Sequence, residues 1–216
     1  MNPKASCKGS YGIKRAYIIK VHHIWRWPDK EVKIGIFGGV FDPIHFGHLQ
    51  GGEGARVSLG LDKVLFTPSH IPPHKPKSYA SSKDRIAMVN IALEENQNFI
   101  CLDIEAKREG ISYTIDTAKE IKRLYGENEY YFIIGQDTIP ELPTWKDYKT
   151  LILLVKFVAI KRSDFSYTDP DITIIEYPTL PVSSTMIRER IKQGLSIKYL
   201  VPDGVLKYIQ KHGLYM

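Results

Sequence analysis

Residues 37–48 read FGGVFDPIHFGH and connect a short apolar run, 33–37, to a stretch at 49–59 whose pattern allows a helix. A strand, a glycine turn and a helix start together form an anion site, because backbone N–H groups point out of the turn and the positive end of the helix dipole favours negative charge. The imidazoles of His45 and His48 can donate hydrogen bonds to phosphate oxygens as charge shifts during a reaction. We therefore expect this chain to handle a nucleotide.

Strand-like and helix-like segments alternate along the chain from residue 33 onward. Strands are predicted at 33–37, 63–67, 99–103, 130–135, 156–160 and 172–176, and helices at 48–59, 82–95, 114–125, 145–153, 184–193 and 203–212. Such alternation is typical of βαβ units. The predicted fold is α/β, a Rossmann-like doubly wound parallel sheet in a single domain with a small C-terminal helical part. In this architecture ligands bind beyond the carboxyl ends of the strands, where the Gly-Gly turn falls.

The positive charge of the chain is concentrated near its N-terminus. Residues 1–31 hold seven of the 30 Lys and Arg but only two of the 24 Asp and Glu, so the remainder is nearly neutral despite the overall charge of +6. A basic face for nucleic acid is therefore not implied. We interpret residues 1–32 as a non-catalytic extension, or as sequence upstream of a misplaced start, and residues 33–216 as the catalytic domain.

The composition excludes several classes of protein. A hydrophobic fraction of 43% is ordinary for a folded globular chain and argues against disorder. The longest apolar stretch, 151–160, is interrupted by Lys156 and is too short to span a bilayer. Two cysteines argue against a disulfide framework. We expect a cytoplasmic protein without a membrane partner.

Other interpretations of the histidine segment have to be weighed. A single histidine is more often a core imidazole than a catalytic group, and His45 and His48, three residues apart, can also bind zinc. The zinc alternative lacks a carboxylate or cysteine at ligand spacing nearby. The dinucleotide fingerprint is absent, because the glycine pair does not continue as GxGxxG. The length of the whole pattern favours the functional interpretation.

A second candidate anion site is VSSTMIR, residues 182–188, at the start of a predicted helix. Ser184 or Thr185 at the N-cap can satisfy unpaired N–H groups, which is a sufficient structural explanation. The functional alternative adds phosphate binding by free N–H groups, the hydroxyls and Arg188. Arginine in a first turn opposes the helix dipole, a small penalty that a bound phosphate would offset.

Residues 66–75, FTPSHIPPHK, follow the second strand. The prolines indicate a stiff loop on which Lys75 can be ordinary surface charge. They also exclude a helix that would align His70 and His74 for zinc. Arg162, after the fifth strand, is a further candidate for contact with a triphosphate, with surface charge as the alternative.

The patterns GGxFDPxHxGH and SSTxIR resemble the two signatures of the nucleotidylyltransferase superfamily, in their order and separation. The resemblance implies nucleotidyl transfer by direct attack of one phosphate on another, without a covalent enzyme intermediate. It implies catalytic roles for His45, His48 and Arg188 at the triphosphate. Further ATP or phosphate contacts are assigned to Gly38, Gly39, Phe41, Ser184 and Thr185.

Two more segments resemble elements of the bacterial nicotinate-nucleotide adenylyltransferases: GISYTIDT at 110–117, and FIIGQD with LPTW within 132–145. Carried over, Trp145 would stack on a pyridine ring and the region of Thr114 would hydrogen-bond the nicotinate carboxylate. Asp137 would bind ribose hydroxyls or lie near the metal–phosphate region. Trp145 as a core residue and Thr114 as a helix cap remain alternatives.

This branch implies adenylyl transfer from ATP to nicotinate mononucleotide, which gives nicotinate adenine dinucleotide and pyrophosphate in NAD biosynthesis. Lys75, in a PPHK loop like that of the branch, would point toward the phosphates. Mg²⁺ is the implied cofactor, held mainly by phosphates and water rather than by the protein. A preference for nicotinamide mononucleotide, a nucleic-acid-binding protein on a degenerate fold, and a homo-oligomer are left open.

One position departs from the family pattern. Val40 stands where family members usually have Ser or Thr after the glycine pair. A lost hydrogen bond to a charged group costs roughly 1.5–3 kcal/mol, so slower catalysis is expected. Gln136 is also unusual, and the sequence offers no physical account of it.

Overall fold

A computed structural model describes residues 31–72, 78–108, 110–161 and 167–216. Glu31–Met216 form one compact unit. Residues 1–30 of the predicted extension lie outside the described part of the chain, as do Lys75 and Arg162. The structure therefore does not describe residues 1–30 or the surroundings of these two candidate site residues.

Six parallel strands form a single sheet in the order β3-β2-β1-β4-β5-β6. Their bounds are β1 Lys33–Gly39, β2 Lys63–Pro68, β3 Phe99–Cys101, β4 Glu129–Gly135, β5 Lys156–Ile160 and β6 Thr173–Ile175. All six predicted strands and the α/β fold are confirmed. The glycine pair predicted as a turn belongs to the end of β1, where Gly39 pairs with Pro68.

Seven α-helices and one 3-10 helix accompany the sheet in the described residues. Their bounds are α1 Phe46–Leu59, α2 Ser82–Leu93, α3 Ile104–Arg108, α4 Thr114–Tyr125, the 3-10 helix Gln136–Thr144, α5 Tyr148–Leu154, α6 Ser184–Lys192 and α7 Asp203–His212. The six predicted helices are present. α3 is too short to show a helical period, and the 3-10 helix contains Pro140 and Pro143, so the sequence did not indicate either.

The strand order places the candidate functional segments at the carboxyl ends of the central strands. β2 and β3 lie on one side of β1, and β4, β5 and β6 on the other, so the direction of winding reverses between β1 and β4. Ile34 and Ile36 of β1 are fully buried, as expected for a central strand covered on both faces. Because ligands bind at such a reversal, beyond the carboxyl ends of the strands, the ends of β1 and β4 frame the site.

The C-terminal helical part packs against the main body through α2 and α7. The hydroxyl of Tyr208 donates to a carboxylate oxygen of Asp84 at 3.0 Å. Val205 and Ile209, on the same helix, are buried in the common core. None of the described helices has both the length and the apolar character needed to cross a membrane.

Candidate active site

Two glycines and an unusual phenylalanine shape the end of β1. A Cβ on Gly39 would lie 2.9 Å from Cζ of Phe41, so glycine there lets the phenyl ring pack against the strand end. A Cβ on Gly38 would lie 3.0 Å from Cζ of Phe132, a tight contact that the ring would have to relieve by a small shift. Phe41 has φ of 51°, a left-handed conformation that costs a non-glycine residue roughly 1–2 kcal/mol. Its buried ring meets His48 edge-on, with centroids 5.0 Å apart.

His45 and His48 lie together at the start of α1, with His45 as the N-cap residue. The main-chain N–H of His45 donates to Nδ1 of His48 at 3.3 Å, and the two rings stack with centroids 3.7 Å apart. A neutral imidazole that accepts at Nδ1 carries its proton on Nε2. His48 is therefore a hydrogen-bond donor at Nε2. His45 is only 2% exposed, whereas His48 is half-buried.

The second candidate segment is docked on the first. Ser183 is the N-cap of α6, because its hydroxyl accepts from the N–H of Met186 at 3.1 Å. The prediction of a cap at Ser184 or Thr185 was wrong. The hydroxyl of Ser184 instead donates to the main-chain oxygen of Pro43 at 2.9 Å, which joins the start of α6 to the turn after β1.

Arg188 makes a second connection between the two segments. Its Nη1 donates to the main-chain oxygen of Asp42 at 2.7 Å and its Nη2 to Oγ1 of Thr185 at 3.1 Å. The guanidinium carbon lies 4.4 Å from the ring centroid of Tyr79, within cation–π distance. The orientation of this cation is therefore fixed from three directions beside the β1–α1 turn.

Asp42 is a shared acceptor that the sequence analysis did not identify as a separate residue. It is 4% exposed, and its carboxylate accepts from the main-chain N–H of Tyr79 at 2.7 Å and of Ala80 at 3.1 Å. The hydroxyl of Tyr215 donates to the same carboxylate at 2.7 Å. No local sequence pattern indicates these contacts, because they join segments that are far apart along the chain.

Arg85 is a second residue that the sequence analysis missed. This side chain is 1% exposed and donates to the main-chain oxygens of Val40 at 2.7 Å, His70 at 3.2 Å and Ala80 at 3.3 Å. Satisfying three carbonyls offsets much of the cost of burying a guanidinium. Arg85 therefore holds the main chain at Val40 by a hydrogen bond, although valine lacks the hydroxyl that is usual at this position.

Thr114 is the first residue of α4, and the N-cap is Tyr113. The alternative that Thr114 caps the helix is therefore wrong. Lys146, which follows the LPTW segment, lies 3.3 Å from the carboxylate of Asp116 and 4.3 Å from the ring centroid of Tyr113. These contacts bring the SYTIDT and LPTW segments together, so the candidate acceptor residues on them share one region.

Trp145 is half-buried at the end of the 3-10 helix. Its ring centroid is 6.0 Å from that of Phe132 at an interplanar angle of 86°, and 6.1 Å from that of Phe157 at 70°. Neither phenyl ring stacks parallel to the indole. Trp145 therefore packs against core residues on one side, while part of its side chain stays accessible to solvent. This position is compatible with both predicted roles, core packing and stacking on a pyridine ring.

Asp137 and Gln136 begin the 3-10 helix directly after β4. Asp137 is half-buried there, at the strand end that neighbours β1. Gln136 is 2% exposed, and its Nε2 donates to the main-chain oxygen of Tyr167 at 2.9 Å. That hydrogen bond supplies the physical account of Gln136, which fastens the segment after β5 to the end of β4.

A buried carboxylate supports the first turn of α4. Glu105 is 6% exposed, and its Oε1 accepts from the hydroxyl of Thr117 at 2.7 Å. Arg108 donates to Oγ1 of the same threonine at 3.0 Å. Burial raises the pKa of Glu105, and the hydrogen bonds from Thr117 and Ser112 oppose this. This hydrogen-bond network therefore holds α4 at Thr117, about one helical turn after Thr114.

Within the ranges that the structure describes, no three His, Cys, Asp or Glu side chains gather as metal ligands do. The carboxylate of Asp42 is already occupied by three donors. The residues assembled around the β1–α1 turn are instead hydrogen-bond donors and a cation, which suits an anion or a metal–phosphate complex.

Comparison with known proteins identifies relatives of this chain. The sequence model of the cytidylyltransferase-like family matches residues 36–190. The chain is 44% identical over 185 residues to a probable nicotinate-nucleotide adenylyltransferase of Geobacillus thermodenitrificans, covering 85% of this chain and 86% of the relative. It is 43% identical over 185 residues to the nicotinate-nucleotide adenylyltransferase of Bacillus subtilis, covering 85% of this chain and 98% of that protein.

The fold is also similar to solved structures. The Plasmodium falciparum nicotinic acid mononucleotide adenylyltransferase complexed with NaAD superposes with a TM-score of 0.74 at 23% identity, covering 86% of this chain and 98% of that one. A putative nicotinate-nucleotide adenylyltransferase from Vibrio parahaemolyticus gives a TM-score of 0.64 at 19% identity, covering 85% and 95%. At these identities the likeness concerns the fold.

Proposed function

Because this chain belongs to the cytidylyltransferase-like family and, within it, to the nicotinate-nucleotide adenylyltransferases, we propose that it transfers the adenylyl group of ATP to nicotinate mononucleotide. The products are nicotinate adenine dinucleotide and pyrophosphate. The observation that carries the proposal is the docking of Ser184 and Arg188 on the main-chain oxygens of Pro43 and Asp42. Two anion-binding segments thereby become one surface at the carboxyl end of β1.

In this reaction an oxygen of the mononucleotide phosphate attacks the α-phosphorus of ATP. The new P–O bond forms as the bond between the α-phosphorus and the bridging oxygen breaks, and pyrophosphate leaves with that electron pair. Both reactants are anions, so the protein must supply positive charge and donors where charge develops. Nε2 of His48 and the guanidinium of Arg188 are such groups, and both are held in place by hydrogen bonds.

The triphosphate subsite comprises His45, His48, Ser184, Thr185 and Arg188. We assign His48 to the phosphate at which charge develops, and α6 with Arg188 to the β- and γ-phosphates. His45 stacks on His48 and orients it. Gly38, Gly39 and Phe41 shape the turn against which the phosphates lie. Lys75 and Arg162 are assigned to the triphosphate by sequence resemblance, since both lie outside the described residues.

The acceptor subsite comprises Thr114, Asp137 and Trp145. The N–H groups that open α4 at Thr114 are suited to the nicotinate carboxylate. Trp145 would stack on the pyridine ring, and Asp137, at the end of β4, would bind the ribose hydroxyls. Lys146 lies between the segments of this subsite and joins them through its ion pair with Asp116 and its contact with the ring of Tyr113.

A divalent metal ion accompanies the triphosphate, and we assign Mg²⁺ to this role. The donor set fits a metal carried by phosphates and water, because the described residues near the turn offer nitrogen donors and no carboxylate cluster. When bound, the ion would screen the charge of the phosphates. The reactants are metabolites of the cytoplasm, where we place the protein.

The catalytic domain is assigned to residues 33–216, with residues 1–32 as an extension outside it. The compactness of Glu31–Met216 supports this division. A chain beginning at Val32 is expected to keep the kcat/KM of the full chain. Loss of activity in the shortened chain, with normal thermal unfolding, would overturn the assignment.

The test is direct. Purified full-length protein is incubated with ATP, nicotinate mononucleotide and Mg²⁺, and dinucleotide and pyrophosphate are quantified by chromatography. Equal amounts of the two products are expected, with loss of both on adding EDTA. Nicotinamide mononucleotide is the parallel substrate, and higher kcat/KM with it would overturn the choice of acceptor. Absence of product with either acceptor would overturn the function.

A further inference from the structure

The last residues of the chain reach the candidate active site. Tyr215, the penultimate residue, is 8% exposed, and its hydroxyl donates to Oδ1 of Asp42 at 2.7 Å across 173 residues of sequence. No functional role was assigned to this segment from its sequence. The structure instead puts a buried phenol next to the turn after β1.

Asp42 connects that phenol to Arg188. The carboxylate accepts from Tyr215 and from the main-chain N–H groups of Tyr79 and Ala80, and these bonds fix the residue from three sides. The main-chain oxygen of the same aspartate accepts from Nη1 of Arg188 at 2.7 Å. The direction of the Asp42 carbonyl depends on how the whole residue is held. Releasing the Asp42 carboxylate would therefore also move the main-chain oxygen that orients the guanidinium of Arg188.

We propose that Tyr215 is a positioning residue for the triphosphate subsite, acting through Asp42 on Arg188. The inference rests on the function proposed above, since it gives Arg188 the β- and γ-phosphates as ligand. Tyr215 itself touches no reactant. Its hydroxyl holds the aspartate whose backbone oxygen sets the direction of the guanidinium.

The backbone conformation supports a specific role for this contact. Tyr215 has φ of 68° and Phe41, directly before Asp42, has φ of 51°. Left-handed conformations of non-glycine residues persist only where the surroundings enforce them, and they concentrate at functional sites. Tyr215, which makes the hydrogen bond, and Phe41, which precedes the acceptor Asp42, both have this left-handed conformation.

Docking of the C-terminal helix does not by itself require the bond to Asp42. The hydroxyl of Tyr208 already joins α7 to Asp84 of α2, and apolar side chains of α7 are buried in the core. Burial and the neighbouring Asp42 both raise the pKa of Tyr215, so its hydroxyl remains a donor throughout the working pH range. The protonated phenol can therefore donate to Asp42 at any pH at which the enzyme is assayed.

The experiment compares two tyrosine-to-phenylalanine variants of the full chain. Tyr215→Phe removes the hydroxyl that contacts Asp42, and the control Tyr208→Phe removes the one that contacts Asp84. Binding of an ATP analogue with a non-cleavable link between the α- and β-phosphates is measured by calorimetry. We expect Kd to rise roughly three- to tenfold in Tyr215→Phe, the size of one ordinary hydrogen bond, because the lost contact acts on the phosphates only indirectly through Arg188. In Tyr208→Phe we expect Kd to stay within about twofold.

A double-mutant cycle tests the route through Arg188. In an Arg188→Ala background, Tyr215→Phe should leave Kd unchanged, because the group that it positions is gone. An equal rise in both backgrounds, or an equal rise in the two phenylalanine variants, would overturn the inference. Asp42→Asn is the second variant. It keeps the main-chain oxygen but disturbs the carboxylate, and should raise Kd to a similar extent.

The readouts separate this inference from the proposed function. If the wild type binds the analogue and the variants behave as expected but no dinucleotide forms, the function is overturned and the positioning role stands. If dinucleotide forms normally and Tyr215→Phe binds the analogue like the wild type, the function stands and the positioning role is overturned. A wild-type chain that neither binds the analogue nor forms dinucleotide would overturn both.

Discussion

The guanidinium of Arg188 donates to the main-chain oxygen of Asp42 at 2.7 Å, although the two residues are 146 positions apart in the chain. One belongs to the helix that follows the sixth strand and the other to the turn that follows the first. Their contact, with that of Ser184 and Pro43, makes one surface out of two sequence motifs. The predictions below test what that surface and its neighbours do.

Arg188→Lys should raise the KM for ATP about tenfold, because lysine cannot reproduce the forked contacts to Asp42 and Thr185 while binding a phosphate. Steady-state kinetics with saturating nicotinate mononucleotide measure this. The matched control is Arg190→Lys on the same helix, whose Nε contacts the main-chain oxygen of Ser196 instead. Similar kinetics for the two variants would contradict the role given to Arg188.

His48→Ala should lower kcat by about 10²–10³, the range seen when one donor to a developing negative charge is removed. The thermal midpoint should change little beyond the loss of the ring contacts with His45 and Phe41. His212→Ala is the control, since that exposed ring stacks on Tyr208, away from the β1–α1 turn. Activity of His48→Ala within a few-fold of wild type would show that this imidazole is not catalytic.

Trp145→Ala should raise the KM for nicotinate mononucleotide about tenfold, since base–aromatic stacking contributes roughly 1–3 kcal/mol. The Kd for the ATP analogue should not change. Trp145→Phe keeps a flat ring and should recover most of the loss, which distinguishes stacking from simple packing. A parallel loss of ATP binding would instead assign Trp145 to the core.

Glu105→Gln should stabilise the protein more at high pH than at low pH. Burial raises the folded-state pKa of Glu105, so between the unfolded and folded pKa values the native state binds more protons and stability falls as pH rises. Glutamine cannot titrate. Thermal midpoints measured from about pH 4 to about pH 8 should therefore show a growing advantage of the variant. The exposed Glu95→Gln serves as control, and a pH-independent difference would contradict the prediction.

The strands could be predicted from sequence because β-branched and aromatic runs between helical periods are local signals. β4, for example, is a continuous buried run from Tyr130 to Ile134. The same holds for the motif residues themselves, which lie at strand ends and helix starts. What the sequence could not provide is contact between distant segments. The roles of Asp42, Arg85 and Glu105 depend on partners brought in by the fold.

The helix cap at Ser183 was missed for a related reason. Three consecutive hydroxyl residues, 183–185, offer equivalent caps in sequence, and the choice depends on where the chain enters the helix. In the structure the hydroxyl of Ser184 donates to the main-chain oxygen of Pro43, and the hydroxyl of Ser183 caps the helix by accepting from the N–H of Met186. Short elements such as α3 show no period, so tertiary packing rather than sequence pattern decides them.

The burial of Tyr215 has a practical consequence for handling this protein. An affinity tag or fusion partner joined after Met216 would begin one residue from the phenol that holds Asp42. Such a tag would pull on a left-handed residue with little slack. Recombinant protein for the measurements above should therefore carry its tag at the N-terminal end, so that the Kd for the ATP analogue is measured with the Tyr215–Asp42 contact untethered.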